Sequence, residues 1–151
     1  MFLVKDSSSS REEEIRQILT RDPSLASLLA VIHFEWTIRR SIIALGKSPN
    51  IQVREKLQSC HGHDRYKEVW KDEVFPKVQL LLPKAVKDWE SLVRSFKLRH
   101  KLVHGISSCG FDYAKDRVEG AINAAVDIRE ICVAHKVDLD ARLPVRKHLK
   151  G

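Results

Sequence analysis

One long apolar segment constrains the fold more than any other feature of the sequence. Between Asp22-Pro23 and Gly46 the chain reads SLASLLAVIHFEWTIRRSIIAL, and apolar side chains cover most of the circumference of a helix built from it. Asp22 suits the N-cap, Pro23 the first turn, and Gly46 the position just after the last turn. A helix of this kind is buried on most sides, so we expect it to be the central helix of the fold.

Helix signals continue along the rest of the chain, and almost no segment is typical of a strand. Ser10-Arg11-Glu12-Glu13 is a capping box, with a serine at the cap and a glutamate three residues later. The further helices that we predict run from Ser10 to about Thr20, from Ile51 to about Ser59, from about Lys84 to Val103, and from Asp112 to about His135. Together they predict an all-α fold, an up-and-down antiparallel helical bundle of four to five main helices.

The length of the chain fits one ordinary domain. We expect a single domain over residues 1–151, with flexible ends at about 1–9 and 137–151. No apolar run approaches the roughly 18 residues that are needed to span a bilayer. The opening MFLVK is too short to be the apolar core of a signal peptide. We therefore expect a cytoplasmic protein that works away from the membrane.

The charge of the chain favours an anionic partner. Its formal net charge is +7 and its isoelectric point is near 9.5. Excess positive charge attracts nucleic acids, but it also keeps proteins in solution. RNA or DNA is therefore one of the partners to consider.

A helical wheel divides the side chains before Gly105 into arcs, at about 100° per residue. The core face is predicted to hold Trp89, Leu92, Val93, Phe96 and Val103. A second arc holds three cations, Arg94, Lys97 and Lys101. These either follow the backbone of a bound nucleic acid or form an ordinary solvated face. The same alternatives hold for the basic residues of the tail, which are Arg142, Arg146, Lys147 and Lys150.

Arg99 lies outside that cationic arc. It falls between the core face and a smaller apolar patch of Leu98 and Leu102, while His100 and His104 fall on or beside the core face. A desolvated arginine needs a carboxylate partner or a bound phosphate. Leu98 and Leu102 are predicted to point away from the core, where a second subunit would cover them. A homodimer would place Arg99 and His104 at its seam.

The central helix carries two charges of its own inside its apolar arc, Glu35 and Arg39, one turn apart. One interpretation is an ion pair within that helix. The other is that Glu35 reaches across to orient Arg99 or His104, as a supporting acid. The spacing permits both.

No metal or other cofactor is expected. His100 and His104 have the i, i+4 spacing of zinc ligands on a helix, but no acidic third ligand follows nearby. Cys60, His61, His63 and Asp64 are crowded into five positions without a distant matching pair, which favours a polar loop. The three cysteines, Cys60, Cys109 and Cys132, form no CxxC pair, so reduced thiols are expected.

The segment Arg99-His100-Lys101-Leu102-Val103-His104 has the form of an arginine, a polar residue, three variable residues and a histidine. It stands near the end of a predicted helix and is followed by Gly105, a loop and a long last helix. An apolar helix with His33-Phe34-Glu35-Trp36-Thr37-Ile38-Arg39-Arg40 precedes it. In these features the chain resembles the HEPN domain family over most of residues 10–136.

The resemblance implies a helical bundle that dimerises with its two motifs facing each other. In many HEPN members it also implies a metal-independent endoribonuclease that acts as a toxin or in defence against phage. Arg99 and His104 would be the catalytic positions, with His100 as the polar position and Glu35 as a supporting acid; Arg39 is a further supporting candidate. One HEPN group pairs with a nucleotidyltransferase antitoxin and carries a tyrosine two residues after the motif histidine. Here that position is Ile106, so control through such a tyrosine is not expected.

The residue types fit RNA cleavage on chemical grounds as well. RNA supplies its own nucleophile in the 2′-hydroxyl, so the enzyme needs a group that moves protons and a cation that stabilises the phosphorane. A histidine, whose ordinary pKa is about 6.5, suits the first role, and an arginine that grips two phosphate oxygens suits the second. Two alternatives stay open: a HEPN-like domain that binds RNA or a nucleotide without cutting it, and a helical interaction module whose Arg99 pairs with an acid.

Overall fold

The computed structural model describes residues 6–105 and 108–147, and the regular elements in those residues are all helices. They are α1 (Ser8–Arg21), α2 (Pro23–Leu45), α3 (Asn50–Gln58), α4 (His63–Glu73), α5 (Phe75–Val78), α6 (Leu82–Ala85), α7 (Trp89–Val103) and α8 (Phe111–Ala134). The prediction of an all-α chain is confirmed for the described residues. None of these helices combines the length and the apolar character that a membrane span requires.

The chain divides into two compact units. The first unit comprises Met1–Trp36 and Asp88–Val126, and the second comprises Thr37–Lys87 and Asp127–Gly151. Helices α2 and α8 contribute one part to each unit. The single domain over residues 1–151 stays a prediction.

The start of α1 differs from the predicted capping box. Ser7, not Ser10, is the N-cap: its backbone is extended, and its hydroxyl accepts a hydrogen bond from the Ser10 N–H at 3.2 Å. The helix therefore begins before Ser10, so Arg11 and Glu12 lie inside it rather than in its cap. Both side chains are buried.

Helix α2 begins and ends where the sequence indicates. The Asp22 carboxylate accepts a hydrogen bond from the Leu25 N–H at 3.1 Å, which caps the helix at Pro23. At the other end, a Cβ built on Gly46 would lie 2.7 Å from the Ile42 carbonyl oxygen. Only glycine fits this position without a shift of the backbone.

The predicted helix from Lys84 to Val103 is confirmed from Trp89 to Val103, but its first part is wrong, because the chain forms two helices there. Val86 adopts an extended conformation that ends α6, and Asp88 starts α7 by accepting a hydrogen bond from the Ser91 N–H at 3.1 Å. A local cap at Asp88 competes successfully with helix continuation. The segment Arg99–Val103 consequently lies on a separate helix of 15 residues, and His104 is its C-cap.

The core of the first unit is built on close contact between α7 and α8. A Cβ at Gly120 would lie 3.0 Å from the Cβ of Ser91, so the absence of a side chain there lets the two helices approach. Ser95, one turn further along α7, donates a hydrogen bond to the Arg117 carbonyl at 2.6 Å. Beneath them Phe96 meets Phe34 of α2 edge-on, with 6.0 Å between ring centroids. These contacts fix the rotation of α7 about its axis.

The second unit includes the end of the chain that was expected to be flexible. Within residues 137–147, Leu139 and Leu143 are buried, and the Arg146 guanidinium donates hydrogen bonds to the carbonyls of Ala44 and Ser48 at 3.1 and 2.9 Å. Arg146 thereby satisfies a carbonyl of the last turn of α2, which no helical N–H reaches. Leu139, Leu143 and Arg146 thus contact the second unit, and the flexibility of residues 137–151 stays a prediction; Lys150 lies outside the described residues.

Candidate functional site

The site in the first unit centres on Arg99, which is half-buried rather than solvated. Its guanidinium carbon lies 5.1 Å from the centroid of the Phe96 ring, one turn earlier on α7. The side chain is 24% exposed, and burial lowers the pKa of Arg99 from its ordinary value. Arginine nonetheless stays protonated in proteins at neutral pH. Arg99 is therefore a positive charge resting on an aromatic surface.

Glu35 of α2 is the partner of this arginine. Nη1 of Arg99 donates a hydrogen bond to Oε1 of Glu35, whose side chain is 16% exposed. The sequence left two partners open for Glu35, Arg39 in the same helix and Arg99 in α7. In the structure Glu35 pairs with Arg99. The ion pair joins positions 64 residues apart.

Arg39 does not join this site. It belongs to the second unit, where Nε donates to the Tyr66 hydroxyl at 2.8 Å and the two terminal nitrogens donate to the carbonyls of Leu57 and Cys60 at 2.8 and 2.7 Å. All three guanidinium nitrogens thus donate to the segment from the end of α3 to α4. Burial raises the pKa of Tyr66 to about 12, and Arg39 only partly opposes that rise. These hydrogen bonds give Arg39 a structural role in the second unit, and its supporting role at the site stays a prediction.

The guanidinium of Arg99 keeps donors available. Among residues 6–105 and 108–147, Nη1 is the only guanidinium nitrogen of Arg99 that has a hydrogen-bond acceptor. Nε and Nη2 are left to bind the oxygens of an anion. An arginine that is anchored through one nitrogen and open at two others is suited to hold a phosphate in a fixed orientation.

His100 and His104 are exposed, whereas the wheel predicts them on or beside the core face. Their rings approach each other, with 4.4 Å between centroids and 57° between planes. His104 is the C-cap of α7, and Gly105 follows it with a φ of 66°. The exposed end of α7 therefore presents two adjacent imidazoles.

The predicted core face is displaced because α7 is rotated by its contacts. The buried residues of α7 are Leu92, Ser95, Phe96 and Leu98, and Arg99 lies within the same arc. Leu98 is 2% exposed, so it does not point away from the core. The prediction that Leu98 and Leu102 form an apolar patch for a second subunit is therefore wrong for Leu98. Val103 is 64% exposed because it is the last residue of the helix, beyond the turns that pack.

The exposed side of α7 is basic. Arg94, Lys97 and Lys101 are all exposed and share the open side of α7 with the two histidines. On an ideal helix, Arg99 and His104 are separated by about 140°. The structure pairs Arg99 with Glu35 and brings the rings of His104 and His100 together, so the two catalytic candidates have different neighbours.

A buried polar cluster beside Glu35 was not among the predicted residues. Arg11 of α1 donates from Nε to Nδ1 of His33 at 3.2 Å, and Nε2 of His33 lies 2.9 Å from Oε2 of Glu12. Because an arginine only donates, His33 must carry its proton on Nε2 and donate it to Glu12. Arg11 also lies 5.4 Å from the centroid of a Trp36 ring. These contacts tie α1 to α2 on both sides of Glu35. The sequence signal for the burial of Arg11 and Glu12 is that they share a helical face with Ile15, Ile18 and Leu19.

The remaining sequence candidates do not form a site. The described residues contain no group of three or more histidine, cysteine or acidic side chains that could hold a metal. Cys60 and Cys132 are buried free thiols, and burial raises the pKa of Cys132 to about 12. Neither is suited to act as a thiolate nucleophile. Ile106, which stands where one HEPN group has a tyrosine, lies outside the described residues.

No protein-family model, curated protein or solved structure matches this chain.

Proposed function

We propose that this protein is a metal-independent endoribonuclease of the HEPN type, built as an antiparallel bundle of four to five main helices. We place it in the cytoplasm as a toxin, a phage-defence effector or an RNA-processing effector, under the control of an antitoxin or another regulatory protein where it is a toxin. The observation that carries the proposal is Arg99, which is anchored by Glu35 through Nη1, seated on Phe96, and open at Nε and Nη2.

The role of Arg99 is to bind the phosphate that is cleaved. Its open nitrogens donate to two non-bridging oxygens, and their charge stabilises the phosphorane as negative charge builds on those oxygens. Glu35 holds the guanidinium in place and leaves its outward nitrogens unused. Glu35 is thus a positioning residue rather than a proton carrier.

His104 moves the protons. One His104 removes the proton of the 2′-hydroxyl, whose oxygen attacks the adjacent phosphorus, while a second His104 protonates the departing 5′-oxygen. The products are a 2′,3′-cyclic phosphate and a 5′-hydroxyl, and no water or metal ion is consumed. Because an ideal helix separates Arg99 and His104 by about 140° and the mechanism uses two copies of His104, we assign the complete site to two copies that meet as a homodimer.

The exposed basic face is proposed to hold the RNA backbone. Arg94, Lys97 and Lys101 surround His100 and His104 on the open side of α7. Such contacts give affinity that falls steeply with salt and carry little sequence information. His100 is assigned a supporting role beside His104, because their rings are adjacent.

A second candidate function is favoured by the same ion pair. Glu35 fully explains why a half-buried arginine is tolerated, so Arg99 also suits a helical interaction module in which it only fixes α7 to α2. In that case Arg99→Ala lowers stability, and no RNA is cut by any variant. A domain that binds RNA without cutting it would instead retard RNA on a gel and leave it intact.

The test compares wild type, Arg99→Ala, His104→Ala and Arg21→Ala with total RNA in EDTA. Arg21 is an exposed arginine of α1 in the same unit and serves as the matched control. We expect cleavage by wild type and Arg21→Ala alone, with circular dichroism melts that show His104→Ala to be as stable as wild type. Arg99→Lys is included because it keeps the charge but loses the two-oxygen grip, and should be nearly as inactive as Arg99→Ala. Intact RNA in every sample would reject the nuclease.

A further inference from the structure

The imidazoles of His100 and His104, at the end of α7, are close enough to bind one metal ion together, which the proposed RNA cleavage does not require. His100 and His104 stand one helical turn apart, both are exposed, and their ring centroids are 4.4 Å apart. We propose that these two imidazoles form a binding site for a divalent transition-metal ion of the zinc class. The site is separate from the Arg99–Glu35 pair and does not depend on the proposed function.

The geometry of the pair is close to that of two zinc ligands. A zinc–nitrogen bond of about 2.0–2.1 Å at a tetrahedral angle places the centroids of two ligating imidazoles about 5 Å apart. The observed 4.4 Å differs from this by a fraction of an ångström. Both side chains are exposed, so small rotations are enough to direct one nitrogen of each ring at a common ion. The i, i+4 spacing is also that of helix-borne zinc ligands.

The donor atoms determine which metals are expected. Imidazole nitrogen suits zinc, copper and nickel, whereas magnesium and calcium prefer oxygen ligands. No third metal-binding side chain joins the pair within the described residues, so the other coordination positions are left to water or other small ligands. Lys97 and Lys101 on the same face repel a divalent cation, which means that the two imidazole bonds must supply the affinity.

Metal binding has one consequence that does rest on the proposed function. An ion held by His104 occupies the nitrogen lone pair that would accept the proton of the 2′-hydroxyl. Zinc would then inhibit RNA cleavage, and EDTA would restore it. The protein would be a nuclease that needs no metal but is switched off by one.

Calorimetric titration of the full chain with ZnCl2, without an affinity tag and at neutral pH, tests the site. The variants are His100→Ala, His104→Ala and, as matched control, His61→Ala, which removes an exposed imidazole of the second unit. Wild type and His61→Ala should bind one zinc ion per chain with equal affinity. Loss of outer-shell partners alone costs about 10–100-fold in metal affinity, so loss of either ligand should weaken zinc binding by at least about tenfold.

The same titration with MgCl2 should produce no binding heat. The site is rejected if wild type binds no zinc, if His100→Ala binds as wild type does, or if His61→Ala abolishes binding. Ring ¹⁵N spectra of the histidines give a second readout, in which zinc should shift the signals of His100 and His104 and leave the other rings unchanged. Shifts confined to other histidines would also reject it.

An activity measurement separates this inference from the proposed function. If wild type cleaves RNA in EDTA and zinc at saturating concentration leaves the rate unchanged, the inhibitory role is wrong. If wild type cleaves no RNA under any condition, the proposed function fails, and the calorimetric result still decides the metal site.

Discussion

Glu73 shows what several hydrogen-bond partners contribute to a buried charged side chain. Its fully buried carboxylate accepts hydrogen bonds from the Ser48 N–H at 3.0 Å, the Ser48 hydroxyl at 2.7 Å and Lys56 Nζ at 2.9 Å. Burial by itself would raise the pKa of Glu73. The hydrogen bonds from Lys56 and Ser48 outweigh it and lower the pKa below its ordinary value.

This lowered pKa predicts an acid-sensitive contribution to stability. The unfolded chain binds a proton at Glu73 more readily than the folded chain, so the contribution is complete above about pH 4.5 and is lost as pH falls through the folded pKa. Glu73→Gln should lower the free energy of unfolding at neutral pH by about 1.5–3 kcal/mol, the usual value for hydrogen bonds to a charged group. Urea unfolding at neutral and acid pH measures this free energy. The difference in free energy of unfolding between wild type and Glu73→Gln should become smaller as the pH falls.

Glu55→Gln is the control for that experiment, because Glu55 is an exposed glutamate of the same unit. It should change the free energy of unfolding little at any pH. A gap between wild type and Glu73→Gln that widens as pH falls would contradict the assignment.

At the scale of single elements, the end of α2 depends on the missing side chain of Gly46. An added methyl group would meet the Ile42 carbonyl oxygen at 2.7 Å, and Val53 and Arg146 at 3.3 Å. Gly46→Ala should therefore lower the free energy of unfolding by about 1–3 kcal/mol, as overpacking does elsewhere. Gly110→Ala is the matched control, since nothing lies within 4 Å of its added Cβ. Thermal unfolding that gives equal midpoints for the two variants would contradict this view of the turn.

The elements also show how far the sequence alone could predict the fold. The bounds of α2 were predictable because Asp22, Pro23 and Gly46 are local signals that act on their own neighbours. The break at Val86 was not predictable, because the sequence does not distinguish Asp88 from other exposed acidic residues. Only the structure shows that its carboxylate accepts a hydrogen bond from the Ser91 N–H and caps the helix. A helical wheel could not predict the rotation of α7 either, because that rotation depends on contact with Gly120 of α8. For the site, residue types pointed to Arg99 and Glu35, but only packing decided between Arg99 and Arg39 as the partner of Glu35.

At the scale of the whole molecule, the proposed mechanism requires two copies, because it uses one His104 to remove a proton and another to supply one. Wild type and His104→Ala, coexpressed in equal amounts and pairing at random, would form about one quarter wild-type dimers. RNA cleavage per total protein should then fall to about a quarter of the wild-type value. A value near one half would mean that each chain works independently and would contradict the shared site.

The net charge of +7 is also a property of the whole chain, and it bears on how RNA is held. If Arg94, Lys97 and Lys101 contact phosphates, replacing all three by alanine should weaken RNA binding and reduce the slope of log affinity against log salt by about 2–3. Fluorescence anisotropy with a labelled RNA at several salt concentrations measures that slope. An unchanged slope would assign the three residues to an ordinary solvated surface.

The central claim, cleavage of RNA by its own 2′-hydroxyl under the action of Arg99 and His104, is tested most directly with a pair of substrates. Sites cut in total RNA would be mapped first, and one such site would be synthesised as an RNA oligonucleotide and as its fully 2′-O-methylated counterpart. In EDTA, wild type should cleave the RNA to a 2′,3′-cyclic phosphate and a 5′-hydroxyl and leave the methylated oligonucleotide intact. Cleavage of both oligonucleotides, or of neither, would contradict the mechanism.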